Sequence, residues 1–173
     1  MDTLLEILKY TLPSLIVFGT SYLIIKSFLE SEEKKRKLEI RMANLKTITP
    51  IKLQAYERLV LFLERISPES MIMRIMEPKM TVRQLQQALL KVIRAEYEHN
   101  ISQQVYISAQ AWVVIKTGKE QVVKLINSTA DKLDSDAPAF ELSKAILEEI
   151  VKMKSSPTQA AIDFLKGEIQ QVF

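Results

Sequence analysis

The chain has 173 residues, 47% of them hydrophobic, and a formal net charge of +3 at pH 7. This length suffices for one compact domain in addition to a short membrane anchor. Cysteine is absent, which excludes disulfides, thiolate catalysis and zinc–thiolate sites. Six prolines and three glycines are too few for an architecture rich in β-turns, and the small net charge argues against a general polyanion binder.

An uncharged apolar segment, residues 10–25, lies close to the N-terminus. The run extends over residues 4–29 if Glu6, Lys9 and Lys26 sit at the two interfaces. About 20 residues are needed to cross the hydrocarbon core of a bilayer, and lysine side chains can reach from its edge to the headgroups. This pattern predicts a transmembrane helix.

Two other readings of the segment are weaker. A cleaved signal peptide should begin with a basic stretch, whereas this chain begins with Asp2 and Glu6 against Lys9. A buried helix of a soluble protein would not need the basic residues that follow on one side only. An uncleaved anchor is therefore the preferred interpretation.

A basic cluster follows the apolar segment, while only Lys9 precedes it. The positive-inside bias then predicts an N-terminus outside the cell and the bulk of the chain in the cytoplasm. The cluster is also a candidate for contact with anionic lipid headgroups, although its simpler role is to set topology. Its four residues are Lys34, Lys35, Arg36 and Lys37.

The rest of the chain shows helical periodicity and no convincing strand alternation. Helices are predicted over residues 51–66, 82–106 and 109–133. Another is predicted to start at Asp136-Ala137-Pro138 and run to about residue 153, and the last to start at Ser156-Pro157 and run to about residue 171. Thr49 with Pro50, Thr81 and Ser108 are expected to start the helices that follow them, and the second and third helices could also run on as one bent helix. These features predict an all-α fold with a bundle of four to six helices.

A methionine-rich connector spans residues 67–80 and contains Pro78, which prevents a long helix. Flexible, polarizable methionine side chains suit an adaptable docking surface, but filling gaps in a core is their commoner role. The connector methionines are Met71, Met73, Met76 and Met80.

The sharpest enzymatic pattern is the Glu-x-x-His spacing of Glu96 and His99. Ferritin-like bundles use two such pairs around a dinuclear metal. This chain has one histidine, so a single copy cannot supply the set. A histidine that caps or hydrogen-bonds near Asn100 is the simpler interpretation, and neither catalytic residues nor a cofactor are expected. Basic residues are interleaved with glutamates, which argues against nucleic-acid binding.

Two stretches of the chain carry a resemblance to known sequences. The first reads Gln-Ala-Tyr-Glu-Arg-Leu at 54–59 and continues through 61–66, and the second reads Glu-Tyr-Glu-His-Asn at 96–100 and continues through 103–106. They resemble those of an uncharacterised bacterial family of short, single-span, membrane-anchored helical proteins. The similarity covers most of the chain. It implies the order of span, basic stalk and helical domain in a bacterial inner membrane, and it implies no catalytic residues.

The sequence thus predicts a transmembrane anchor over 1–30, a basic juxtamembrane stalk over 31–48 and a cytoplasmic helical domain over 49–173. The expected function is that of a non-enzymatic scaffold or accessory subunit of an inner-membrane complex, with a homo-oligomer as one option. A metalloprotein using Glu96 and His99, or a lipid-surface regulator using the basic cluster, are the alternatives. The residues expected to bind partners are Tyr56, Glu57, Arg58, Met71, Met73, Met76, Glu96, His99 and Asn100.

Overall fold

The computed structural model describes the backbone of residues 2–153 and 155–172, and the side chains of residues 7, 9–153 and 155–170. Within these residues the protein is all-α, with one isolated antiparallel bridge between Thr81 and Pro138 and no strand. The predicted all-helical class is confirmed. The chain divides into two compact units, Met1–Thr49 and Pro50–Phe173.

Helix α1 covers Asp2–Arg65 and forms the described part of the first unit. Its apolar side chains from residue 9 to 29 lie exposed. The side chains of Leu4 and Glu6, expected at the outer edge of the apolar run, lie outside the described residues. The expectation that a helix starts at Thr49 and Pro50 is wrong, because α1 continues through both. Proline has no amide hydrogen, so the carbonyl four residues before Pro50 lacks its helical donor. Because Pro50 is exposed, water can donate a hydrogen bond to that carbonyl instead.

The second unit contains the end of α1 and the remaining five α-helices. These are α2 (Pro68–Ile75), α3 (Val82–Asn100), α4 (Ala109–Ala130), α5 (Ala139–Met153) and α6 (Gln159–Val172). The connector predicted over 67–80 thus contains a short helix, which ends before Pro78. The helix predicted over 82–106 ends at Asn100 and is followed by a 3₁₀ turn, Ile101–Val105.

Local hydrogen bonds start these helices where the sequence indicates. The Thr81 hydroxyl accepts from the Gln84 amide at 3.3 Å, and the Gln84 side chain accepts from the Thr81 amide at 3.0 Å. This reciprocal pair is a capping box. Ser108 caps α4 in the simpler way, accepting from the Ala111 amide at 3.0 Å. Both predicted caps are confirmed.

One continuous core holds the second unit together. Near the end of α1 the spacing of Leu59, Phe62 and Leu63 places these side chains on the buried face, and Ile66, just after the helix, is buried with them. Helix α4 packs against α3, α5 and α6. Gly118 permits this close packing, since a Cβ there would lie 3.4 Å from the Ala161 Cβ and 3.8 Å from the Leu63 Cδ2.

Candidate functional site

A small polar groove lies between the end of α1 and the last turn of α3. It encloses about 160 Å³ and brings together side chains from two of the three segments predicted to bind partners, residues 56–58 and 96–100. We call it the polar groove. Its lining residues are Arg58, Leu61, Phe62, Arg65, Glu96, His99 and Asn100.

Helical periodicity places these residues on one side of each helix. In α1 the positions 58, 61, 62 and 65 follow the i, i+3, i+4, i+7 pattern. In α3 the positions 96, 99 and 100 follow the same pattern over one turn. Phe62 is buried and anchors the floor, whereas Arg58 and His99 are exposed at the rim.

An ion pair joins the two helices across the groove. Arg65 Nε lies 3.2 Å from Glu96 Oε1, with the Glu96 side chain 15% exposed and that of Arg65 49% exposed. Asn100 Nδ2 donates to the Glu96 carbonyl oxygen at 2.8 Å, and Arg74 Nη2 donates to the Arg65 carbonyl oxygen at 3.1 Å. Glu96 and Arg65 therefore neutralise each other and hold the groove's geometry.

Of the two arginines that line the polar groove, Arg65 is paired with Glu96 and Arg58 is not. Within the side chains that the structure describes, no carboxylate lies within 4.0 Å of its guanidinium. A guanidinium presents a fork of donors that matches a carboxylate. The polar groove thus combines an exposed arginine and an exposed histidine with two apolar lining residues, the exposed Leu61 and the buried Phe62.

Aromatic rings stiffen the floor of the groove from behind. The Phe62 and Tyr97 ring centroids lie 6.2 Å apart, and those of Tyr97 and Trp112 lie 5.7 Å apart in a stacked arrangement. Lys119 Nζ lies 4.3 Å from the Tyr97 ring centroid, within cation–π range. Burial raises the pKa of the Tyr97 hydroxyl, and the negative charge of Glu120 adds to the effect.

The size of the polar groove indicates the kind of ligand it suits. Small-molecule sites usually enclose roughly 300–1,000 Å³ and bury most of their ligand. At about 160 Å³ the groove is smaller than this range and is open at its rim. It suits one side chain or one carboxylate of a docked partner better than a free substrate.

The chemistry of the groove does not form a complete metal site. In residues 7, 9–153 and 155–170, no three His, Asp or Glu side chains are grouped to hold a metal ion. Glu96 already pairs with Arg65, so it is engaged on one oxygen. Metal binding by Glu96 and His99 would need further ligands from a second chain.

The remaining predicted partner residues fall into two groups. Tyr56 and Met71 are buried in the core, so their side chains are not available to a partner in this structure. Burial raises the pKa of the Tyr56 hydroxyl, and the nearby charge of Glu168 raises it further. Glu57 is exposed, as are Met73 at 89% and Met76 at 38%.

The basic cluster encircles its helix. Successive residues of an α-helix are about 100° apart, so Lys34, Lys35, Arg36 and Lys37 point in four directions and form no one-sided patch. All four are exposed. Lys37 Nζ lies 2.6 Å from Glu33 Oε1, and this hydrogen bond and charge hold the pKa of Glu33 below its usual value.

Two features of the second unit escaped the sequence analysis. The first is the ion pair of Arg65 with Glu96, which depends on how α1 and α3 pack and which no local pattern reports. The outer face of α5 carries three exposed apolar side chains, Phe140, Leu147 and Val151. Their helical spacing is visible in the sequence and could have revealed a second apolar face.

Comparison with known proteins identifies the family of the chain. No curated protein and no solved structure matches the chain. The model of a family of unknown function, DUF7935, matches residues 2–172. The match spans the apolar segment, the basic cluster and all the helices that form the polar groove. The chain therefore belongs to this family of unknown function, DUF7935.

Proposed function

We propose that this protein is a single-pass protein of the bacterial inner membrane and a non-enzymatic scaffold or accessory subunit of a membrane complex. Its N-terminus lies outside the cell and its helical domain lies in the cytoplasm. The polar groove is the part of that domain that binds another subunit.

The exposure of the apolar segment is the observation that carries the proposal. Within α1, an 18-residue window reaches a mean hydropathy of 1.6, and none of it is buried. A core helix of a soluble protein would bury such side chains. Removing one large apolar side chain from water is worth about 1.5–3 kcal/mol, so a run of them strongly favours an apolar surrounding. Lipid supplies that surrounding along the whole segment.

The basic cluster supports the orientation. Charges that encircle a helix can all meet headgroups when the helix crosses the interface, whereas a helix lying on a membrane needs its charges on one face. Cationic side chains next to a span on one side favour the cytoplasmic location of that side.

The polar groove supports the role of accessory subunit. It exposes Arg58 beside an apolar floor, and its other arginine, Arg65, is held by Glu96. An arginine next to apolar surface is typical of residues that dominate protein interfaces. The surface of a partner that would complement the polar groove is a carboxylate next to an apolar side chain.

Co-purification tests this role. The tagged full-length chain, expressed at native level and extracted in mild detergent, is expected to retain another membrane-complex subunit in a fixed ratio. The Arg58→Glu variant should lose that subunit, since it replaces the exposed cation with a charge that repels a carboxylate. Arg94→Glu is the matched control, because Arg94 is an exposed arginine of α3 outside the polar groove.

Two results would contradict the proposal. One is a wild-type chain that runs alone and monodisperse in detergent. The other is equal retention of the subunit by the wild-type chain and both variants, which would show that the polar groove does not bind the subunit. Exposed charge substitutions usually change stability by less than about 0.5 kcal/mol, so loss of folding is not expected to mimic loss of binding.

A further inference from the structure

Helix α5 carries apolar side chains on two separate faces. Its inner face packs Leu142, Ile146 and Ile150 into the core. Its outer face exposes Phe140 and Val151, at 64% and 78%, together with Leu147 at 40%. A surface helix of a stable monomer normally presents polar side chains on its outer side.

The outer face forms an open apolar groove of about 540 Å³. Phe140 also lines a neighbouring cavity of about 290 Å³ together with Met76 and Met80, so the apolar surface continues onto the connector between α2 and α3. We call the whole surface the α5 face. The residues lining its main groove are Phe140, Ser143, Lys144, Leu147, Glu148, Val151 and Lys152.

The spacing along the α5 face is that of a helix–helix seam. Positions 140, 144, 147 and 151 are separated by four, three and four residues, as in the a and d positions of a coiled coil. Lys144 is the one charged residue of this seam. Glu148 lies one turn further, 3.9 Å from Lys144 Nζ, and both side chains are more than half exposed.

We propose that the α5 face binds the same face of a second copy of this chain, with the two α5 helices antiparallel. In that orientation Phe140 lies opposite Val151 of the second copy. Lys144 lies beside Leu147 of the second copy and within reach of its Glu148. The two-fold axis repeats each contact, so two lysines meet two glutamates at the centre of an otherwise apolar seam.

The charges favour this occupant and this direction. A parallel, in-register pair would place Lys144 against Lys144 of the second copy at the centre of the seam, where like charges repel. The antiparallel pair replaces that repulsion with attraction. The seam from 140 to 151 is only about 16 Å long at 1.5 Å per residue. The contact therefore buries less than the about 800 Å² per partner of a standard interface, and we expect a weak dimer.

Disulfide trapping tests the proposal directly, because the chain contains no cysteine. Two differently tagged full-length copies, Phe140→Cys and Val151→Cys, are co-expressed and the isolated membranes are oxidised. We expect a disulfide between the two different variants and almost none within either variant expressed alone. In the antiparallel pair, residue 140 of one copy lies near residue 151 of the other copy. The two residues 140 of the pair lie about 16 Å apart along the seam.

Val105→Cys, paired with Phe140→Cys, is the matched control. Val105 is an apolar residue of the 3₁₀ turn, as exposed as Val151 and outside the α5 face. Disulfides within each single variant would overturn the antiparallel arrangement. The absence of any α5 disulfide, or an equal yield from the control, would overturn self-association through this face.

A charge swap gives a second readout that does not depend on thiol geometry. Lys144→Glu or Glu148→Lys alone should lower the dimer fraction in detergent several-fold, since each leaves like charges facing across the seam. The double swap should restore the dimer fraction. Both sites are exposed, and equal dimer fractions in all four proteins would contradict the proposal. This inference does not depend on the polar groove, so it can fail while the proposed function stands.

Discussion

Glu96 shows how much the role of one side chain depends on its neighbours. Its spacing from His99 pointed to a metal ligand, but in the structure its Oε1 lies 3.2 Å from Arg65 Nε. This contact turns a candidate ligand into a brace between α1 and α3. Tyr56 shows the same dependence, because its side chain is only 6% exposed and packs in the core.

The tyrosine at position 56 leads to a prediction about alkaline pH. Burial and the charge of Glu168 raise its pKa above 10.0, so the folded chain keeps the hydroxyl proton longer than the unfolded chain does. The folded state then binds more protons than the unfolded state, and the free energy of unfolding falls as pH rises above about 10. The stabilising effect of the protonated Tyr56 hydroxyl is fully present below about pH 10.

Removing the charge of Glu168 should lower the Tyr56 pKa. Comparing tyrosinate absorbance of Glu168→Gln with and without Tyr56→Phe isolates the titration of Tyr56, which should move toward its ordinary value. Denaturant unfolding across the same pH range should then show a shallower alkaline loss for Tyr56→Phe. Glu57→Gln, an exposed carboxylate next to Tyr56 in α1, is the control. An identical titration in Glu168→Gln and Glu57→Gln would contradict the assignment.

At the scale of the helix, the α3 cap was predictable because it depends on residues three positions apart. Thr81 and Gln84 satisfy each other's amides, and the chain approaches them through Lys79, whose φ of 75° lies in the left-handed region. Backbone hydrogen bonds also join the start of α5 to the start of α3. The Ala139 amide donates to the Met80 carbonyl at 2.9 Å, and the Val82 amide donates to the Ala137 carbonyl at 2.9 Å.

Replacing Thr81 with alanine should lower the free energy of unfolding of the helical domain by about 1 kcal/mol, as expected for loss of an N-cap. The Gln84 amide should also exchange its hydrogen faster in Thr81→Ala. Thr117→Ala is the control, because the exposed Thr117 hydroxyl donates to the Val113 carbonyl within its own helix and caps no helix. A loss of stability as large in the control as in Thr81→Ala would show that the cap is not the cause.

At the level of the whole molecule, the side chains that the structure describes form a buried core in the second unit and none in the first. The apolar side chains of residues 9–29 are exposed, whereas the second unit buries apolar side chains from all of its α-helices. Such an imbalance is expected when the first unit meets lipid. The proposed function relies on this difference.

Membrane extraction tests the anchor. The wild-type chain should remain with the membrane after an alkaline carbonate wash and be released by detergent. Leu15→Arg with Phe18→Arg should move the chain to the soluble fraction, since each arginine near the centre of a span costs about 2.5–3.5 kcal/mol on insertion scales. The control is Leu38→Arg with Leu45→Arg, two exposed apolar sites of α1 beyond the basic cluster.

A reporter fused to the C-terminus tests orientation in the same strains. We expect activity only from a reporter that works in the cytoplasm. A wild-type chain released by carbonate, or a reporter active in the periplasm, would contradict the proposed anchor or its direction.

Local sequence patterns were enough to predict the all-α class and the caps at Thr81 and Ser108, and to locate the apolar segment with its basic neighbour. Each depends on residues close together in the chain, so composition and short spacing suffice. The packing of the helices shows what those patterns do not: Met71 is buried while Met73 is exposed, and Arg65 contacts Glu96. These depend on which helix faces which, and packing between distant segments leaves no local signal.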